Sequence, residues 1–131
     1  MRTVRPFSET LRLMRHVARH GGPPVTTVDK IPEDVRTNIY FIEAPSARRI
    51  KIGKTDHLRK RFCSLRISSP VPIKLVAFSV AHPREEYVYH RRFDASRYRG
   101  EWFDESDDLR SVIATLQAQF PLPEWADEDD L

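Results

Sequence analysis

Residues 38–61, NIYFIEAPSARRIKIGKTDHLRKR, constrain the fold of this 131-residue chain more than any other stretch. Ile39 to Ile42 and Ile50 to Ile52 are short β-branched and aromatic runs separated by the turn signal Pro45-Ser46-Ala47. The second run stops at Gly53, where a helical pattern takes over. The order is strand, turn, strand, helix: a β-hairpin that feeds a helix. The unit is also strongly positive. Residues 45–66 hold eight Lys or Arg against the single acid Asp56, and such a surface suits a phosphate.

The length allows one ordinary domain with an extension and enough chain to bury a core. Net charge is +3, but the last eleven residues hold five acids and no base, so residues 1–120 carry +8. That balance favours a polyanionic partner, DNA first, although a basic surface with no partner has the same composition. Cys63 is the single cysteine, which excludes an internal disulfide and any CxxC metal site and fits a reducing compartment. No apolar run reaches membrane-spanning length, and the N-terminus lacks the apolar core of a signal peptide. The expectation is a soluble, cytoplasmic protein.

Taken in order, Ser8 caps an expected helix to about His20, ending at Gly21-Gly22, with a thin apolar stripe and Arg2, Arg5, Arg12, Arg15 and Arg19 on or near its other faces. His16 and His20 are an i,i+4 pair, but they lack the adjacent Glu and the third ligand that a zinc site needs. Residues 22–36 contain three prolines and no sustained period, so 1–36 read as a basic helix and linker, 37–119 as the domain, and 120–131 as an acidic tail.

Within the domain, Asp56 or Thr55 caps a helix whose buried face is Leu58, Phe62 and Leu65. Arg61 lies about sixty to seventy degrees off the centre of that face, where it borders the core and reaches a cleft. Arg59, Lys60 and Arg66 look like ordinary solvated charges, and Cys63 like a small packed residue. Ile73 to Val80 reads as a third strand with Val76, Phe78 and Val80 on one face. Pro83 opens a helix on which Glu86, Tyr89, His90 and Phe93 share one side. A carboxylate there needs a partner, either an arginine such as Arg61 or Arg91 or a metal ion. Leu109, Val112, Ile113 and Leu116 outline a last helix before Pro121 and Pro123, and Glu124 to Asp130 read as a disordered end. The pattern predicts an α/β (α+β) domain with a small, mainly antiparallel three-stranded sheet (38–43, 48–53 and 73–80), flanked by helices near 56–66, 84–94 and 106–119.

Tyr40, the run Lys51-Ile52-Gly53, and Arg61 eight positions after that glycine resemble the two-part signature of the GIY-YIG nuclease superfamily. Glu86, His90 and Gly100-Glu101-Trp102-Phe103 resemble the C-terminal signature of its compact phage-type branch, the meiotically up-regulated gene type, in which KIG commonly replaces YIG. The likeness spans residues 37–117 with order and spacing intact. Asn38 stands in place of the first glycine of the signature, Lys51 in place of the second tyrosine, and Leu65 where some members carry His.

The resemblance implies a divalent-metal-dependent endonuclease that cleaves DNA. Glu86 would then bind Mg²⁺ or Mn²⁺, and Tyr40 would orient or deprotonate the attacking water, its pKa lowered by Lys51 or the ion. Arg61 would hold the scissile phosphate, and His90 would shuttle a proton or fix Glu86. Trp102 and Phe103 would lock their segment against the domain, with Arg99 and Glu101 near the cleft rim. Arg48, Arg49, Lys54, Arg59 and Lys60 are the candidate contacts to the nucleic-acid backbone. Bland alternatives stand beside each: a central-strand tyrosine fits a core role, and Glu86 fits an internal ion pair. At the level of function the alternative is a non-catalytic nucleic-acid-binding module on the same fold. Tyr40, Arg61 and Glu86 together favour the enzyme, because a pure binder needs the arginine but not the acid.

Overall fold

The apolar run Ile39-Tyr40-Phe41-Ile42 has no polar alternation, the pattern of a strand buried on both faces, and it forms an interior strand of the sheet. The structure, a computed structural model, describes residues 28–127. The helix expected over Ser8–His20, with its arginines and the His16/His20 pair, lies outside the described residues, as do residues 128–131.

Strand β1 (Thr37–Ala44) turns through a 3-10 segment, Pro45–Ala47, into β2 (Arg49–Thr55). Arg48 closes the turn in the left-handed region at φ 53°, its N–H donating to Pro45 O at 3.2 Å. The antiparallel register sets Tyr40 opposite Gly53 and Ile42 opposite Lys51. Strand β3 (Lys74–Ala81) pairs with the other edge of β1. Directly paired residues share a face, so β1 and β2 send Ile39, Phe41, Ile50 and Ile52 to one core and Tyr40, Ile42 and Ala44 to the other.

Helix α1 (Leu58–Ser68) covers the Tyr40 face with Phe62 buried and Leu58 and Leu65 partly buried, the face its period predicts. Its N-cap is His57 rather than Asp56 or Thr55, with no side-chain cap; instead Thr55 Oγ1 accepts from His57 N at 3.1 Å and ties the preceding turn. Helices α2 (Arg84–Arg92) and α3 (Asp107–Gln119) supply the opposite core through Tyr89, Leu109, Val112, Ile113 and Leu116. Phe41 and Tyr89 meet edge to face with ring centroids 5.2 Å apart. Ser106 caps α3 by accepting from Leu109 N at 3.2 Å, and Arg92 Nε donates to Asp108 Oδ2 at 3.0 Å, joining α2 to α3.

The expectation of a three-stranded sheet is overturned. Strands β4 (Arg97–Arg99) and β5 (Trp102–Asp104) form a second hairpin around Gly100 at φ 57°, and β5 pairs with β2, giving a five-stranded antiparallel sheet of order β3-β1-β2-β5-β4 in an α+β fold. Three residues are too few to show a strand period. What makes β5 a strand is the free edge of β2 together with burial of Phe103, which is 0% exposed in the core beneath α2 and α3. A second local difference lies in β3. Register shifts between Phe41 and Ile42, so Val76 and Ala77, adjacent in sequence, enter the same core and the expected stripe of Val76, Phe78 and Val80 is broken.

The ends of the described chain are also ordered. Ile31 is buried, and its carbonyl accepts from Arg36 Nε at 2.9 Å. Glu124–Asp127, read from sequence as part of an acidic tail, form a 3-10 turn that buries Ala126 and brings Trp125 within 6.2 Å of Phe62, ring centre to ring centre. No described helix is long and apolar enough to cross a membrane.

Candidate functional site

The pairing of β2 with β5 stops at Lys51, and the next peptide is held differently. Ile52 N donates to Glu101 O at 3.0 Å, and Ile52 O lies 2.8 Å from His90 Nε2. A carbonyl can only accept, so this contact fixes a proton on Nε2 and, in the neutral ring, leaves the lone pair on Nδ1. The ring is braced from behind by Phe103, 5.2 Å away between centroids. Helix α2 therefore approaches from one face of the sheet and delivers His90 to the open edge of β2, with Glu86 one helical turn earlier on the same side. The turn between β4 and β5 delivers Glu101. Glu86, His90 and Glu101 each offer a ligand atom, all lying within 4.8 Å of one another, and all three residues are half-buried.

Lys51 completes the cluster. Its Nζ sits 2.8 Å from Glu101 Oε1 and 5.9 Å from the centre of the Trp102 ring, with the side chain only 14% exposed. Burial pushes the Glu86 carboxyl above its ordinary range, and the charge of Glu101 adds to the rise, while His90, Lys54 and Lys51 oppose it. A cation placed between the two carboxylates relieves the repulsion that Glu101 exerts on the half-buried Glu86.

Tyr40 reaches this edge from the other face. It is 1% exposed, and its ring lies over Gly53 so closely that a Cβ there would overlap the hydroxyl and the ring. The glycine of the Lys-Ile-Gly run is thus required by the tyrosine opposite it, which crosses β2 one residue from the carbonyl that binds His90. Tyr40 and Lys51 share the face covered by α1, and Arg61, on α1, belongs to that side of the sheet. Arg61 is exposed and its guanidinium makes no hydrogen bond or ion pair with a described residue, so it does not join the cluster.

The basic candidates divide. Lys54 acts on Glu86 and on His82, which burial and Arg84 hold below its ordinary value. Lys54 and Lys60 are exposed. Arg59 is exposed near Trp125, 5.8 Å from the ring centre. Arg48 and Arg49 sit at the far end of β2, in and next to the hairpin turn. Arg49 is committed internally, with Nε donating to Asp104 Oδ1 at 3.1 Å and its guanidinium stacked 3.3 Å from the centre of the Tyr98 ring.

An arginine partner for Glu86 is not found among the described residues. Arg91 instead donates to Tyr87 Oη at 3.1 Å. The acid on the buried face of α2 is Glu85, 4% exposed, its carboxyl raised to about 8 by burial. The helical period does contain that placement, since positions 85, 89 and 93 form one stripe that leaves 86 at its border. Glu101 is the residue that sequence reading left at the rim. Its only local sign is an acid directly after Gly100, and its meeting with Glu86 and His90 requires β5 to be in place.

No protein-family model, no curated protein and no solved structure matches the chain.

Proposed function

We propose that the protein is a divalent-metal-dependent endonuclease that hydrolyses DNA phosphodiester bonds, on a GIY-YIG-like arrangement of residues. The observation that supports this best is the meeting of Glu86, His90 and Glu101 within 4.8 Å at the open edge of β2, beside Lys51. The donor set fits the proposed ion: two carboxylates suit a hard cation such as Mg²⁺, and an imidazole is equally acceptable to Mn²⁺. Bound there, the ion would polarise a phosphoryl oxygen and acidify a water.

The chain's own groups supply the rest. Glu86 and Glu101 hold the ion. His90, its Nε2 proton given to the Ile52 carbonyl, keeps Nδ1 for the ion or for a proton. Tyr40, pinned over Gly53, orients the attacking water with its hydroxyl. Lys51 and Arg61 neutralise the phosphoryl oxygens, the term that dominates phosphoryl transfer. Lys54, Arg59, Lys60 and Arg48 guide the nucleic-acid backbone, while Arg49 is withdrawn from that role by Asp104 and Tyr98. Such an enzyme acts in the cytoplasm on intracellular DNA.

The test is nicking of supercoiled plasmid with Mg²⁺ or Mn²⁺, with chelator, and with Glu86→Gln. The expected result is cleavage by the native protein that chelator and the variant both abolish, with folding and DNA binding retained. Binding without metal-dependent cleavage under any condition would replace the proposal by a non-catalytic nucleic-acid-binding module.

A further inference from the structure

Lys51 and Glu101 stand in a relation that the roles above do not explain. Glu101 offers its carboxylate to the cluster with Glu86 and His90, yet the same carboxylate already holds the Lys51 ammonium at 2.8 Å. The pair is unevenly buried, with the lysine side chain 14% exposed and the glutamate 38%, so the contact is shielded on the lysine side and open on the carboxylate side. Lys54 provides the contrast. It also lowers the proton affinity of Glu86, but it is exposed and makes no ion pair with a described residue.

We propose that Lys51 is a displaceable internal counter-ion: it neutralises Glu101 until a divalent cation enters the Glu86–His90–Glu101 cluster, and that cation then frees the ammonium for a phosphate. This rests on the reading of the cluster as a metal centre. A cation of charge +2 on Glu101 repels an ammonium 2.8 Å from the same carboxylate. The lysine stem is flexible and its head is a compact point charge, so it can leave Glu101 without moving β2. A phosphate brought to the cation is the anion best placed to receive it. Metal loading and phosphate neutralisation are therefore coupled, and substrate favours the loaded state by giving Lys51 a second partner. A lysine that served the phosphate alone would have no effect on the metal in the absence of DNA beyond its general field.

The experiment is calorimetric titration of Mn²⁺ into the full chain without DNA, for native protein and for Lys51→Met, Lys54→Met, Glu101→Gln and the Lys51→Met/Glu101→Gln pair. Met preserves the stem against Trp102, and Lys51→Gln serves as a second replacement should Met disturb the fold. Lys51→Met should bind Mn²⁺ roughly three- to tenfold tighter than native, the range for losing a half-buried competing ion pair. Lys54→Met should change affinity by less than about twofold, the size of a screened, exposed charge. Glu101→Gln should weaken binding, and adding Lys51→Met to it should restore nothing. In plasmid cleavage at saturating Mn²⁺ the same Lys51→Met should be slower than native, so affinity and rate move in opposite directions. Equal affinities for native and Lys51→Met, equal gains from Lys51→Met and Lys54→Met, or a gain that survives Glu101→Gln would each overturn the counter-ion role while leaving the metal centre standing. Absence of Mn²⁺ binding by every form, native included, would overturn both.

Discussion

Replacing Glu85 by Gln should flatten the pH dependence of stability at neutral and alkaline pH. Glu85 is 4% exposed, and its carboxyl has no hydrogen bond or ion pair with a described residue. Burial lifts its carboxyl from the ordinary 4.5 to about 8. Because the folded-state value is the higher one, the native protein holds this proton more tightly than the unfolded chain. The stability so gained is complete below about pH 4.5 and is lost as pH rises through about 8. At 1.36 kcal/mol per decade, the part lost between about pH 5 and pH 8 is roughly 3 kcal/mol. Gln keeps the shape and never ionises. Urea unfolding of native protein and Glu85→Gln at fixed ionic strength across that range should give curves that coincide near pH 5 and separate by roughly 3 kcal/mol near pH 8, the variant being the more stable. The comparison removes His82, whose lowered pKa acts with the opposite sign, losing stability as pH falls, equally in both proteins. A constant difference between the two curves at all pH values would show instead that the Glu85 carboxylate is already ionised or solvated in the native state, since such a group has no such window.

Four further substitutions test the site and the basic surface around it. Gly53→Ala places a methyl against the hydroxyl and ring of the buried Tyr40, so unfolding should become easier by roughly 1–3 kcal/mol and cleavage should fall with it; an unchanged denaturation midpoint would contradict the close approach. Arg61→Ala should slow single-turnover cleavage about a hundredfold while affinity for DNA changes little, because the contact strengthens as charge develops; a proportional loss of affinity would make it a plain backbone contact. Lys60→Ala should leave stability unchanged and reduce the salt slope of DNA binding by roughly one, whereas Arg49→Ala should leave that slope alone and cost about 1 kcal/mol of stability through its lost contacts with Asp104 and Tyr98.

The central hairpin, the three helices and the third strand are legible in the sequence because each is written in a local period. Ile39 to Ile42 and Ile50 to Ile52 declare strands, Leu58, Phe62 and Leu65 declare one helix face, and Leu109, Val112, Ile113 and Leu116 another. Glu86 and His90 at i,i+4 are legible in the same way, as two residues on one side of a helix. What the tertiary structure decided involves partners far apart in sequence. β4 and β5 are strands because β2 offers an edge and Phe103 a side chain to bury, not because three residues carry a strand signal. That pairing alone brings Glu101 to Glu86 and His90 and sets Lys51 on it, while it withdraws Arg49 from the basic surface. The choice between Glu85 and Glu86 for the buried position depended on how α2 is rotated over Phe41, a contact with Tyr89 that fixes the stripe to within one residue. Local periods specify which elements form. Which edges pair, and which charges are left to find each other once the core has closed, is settled by burial and electrostatics acting across the whole chain.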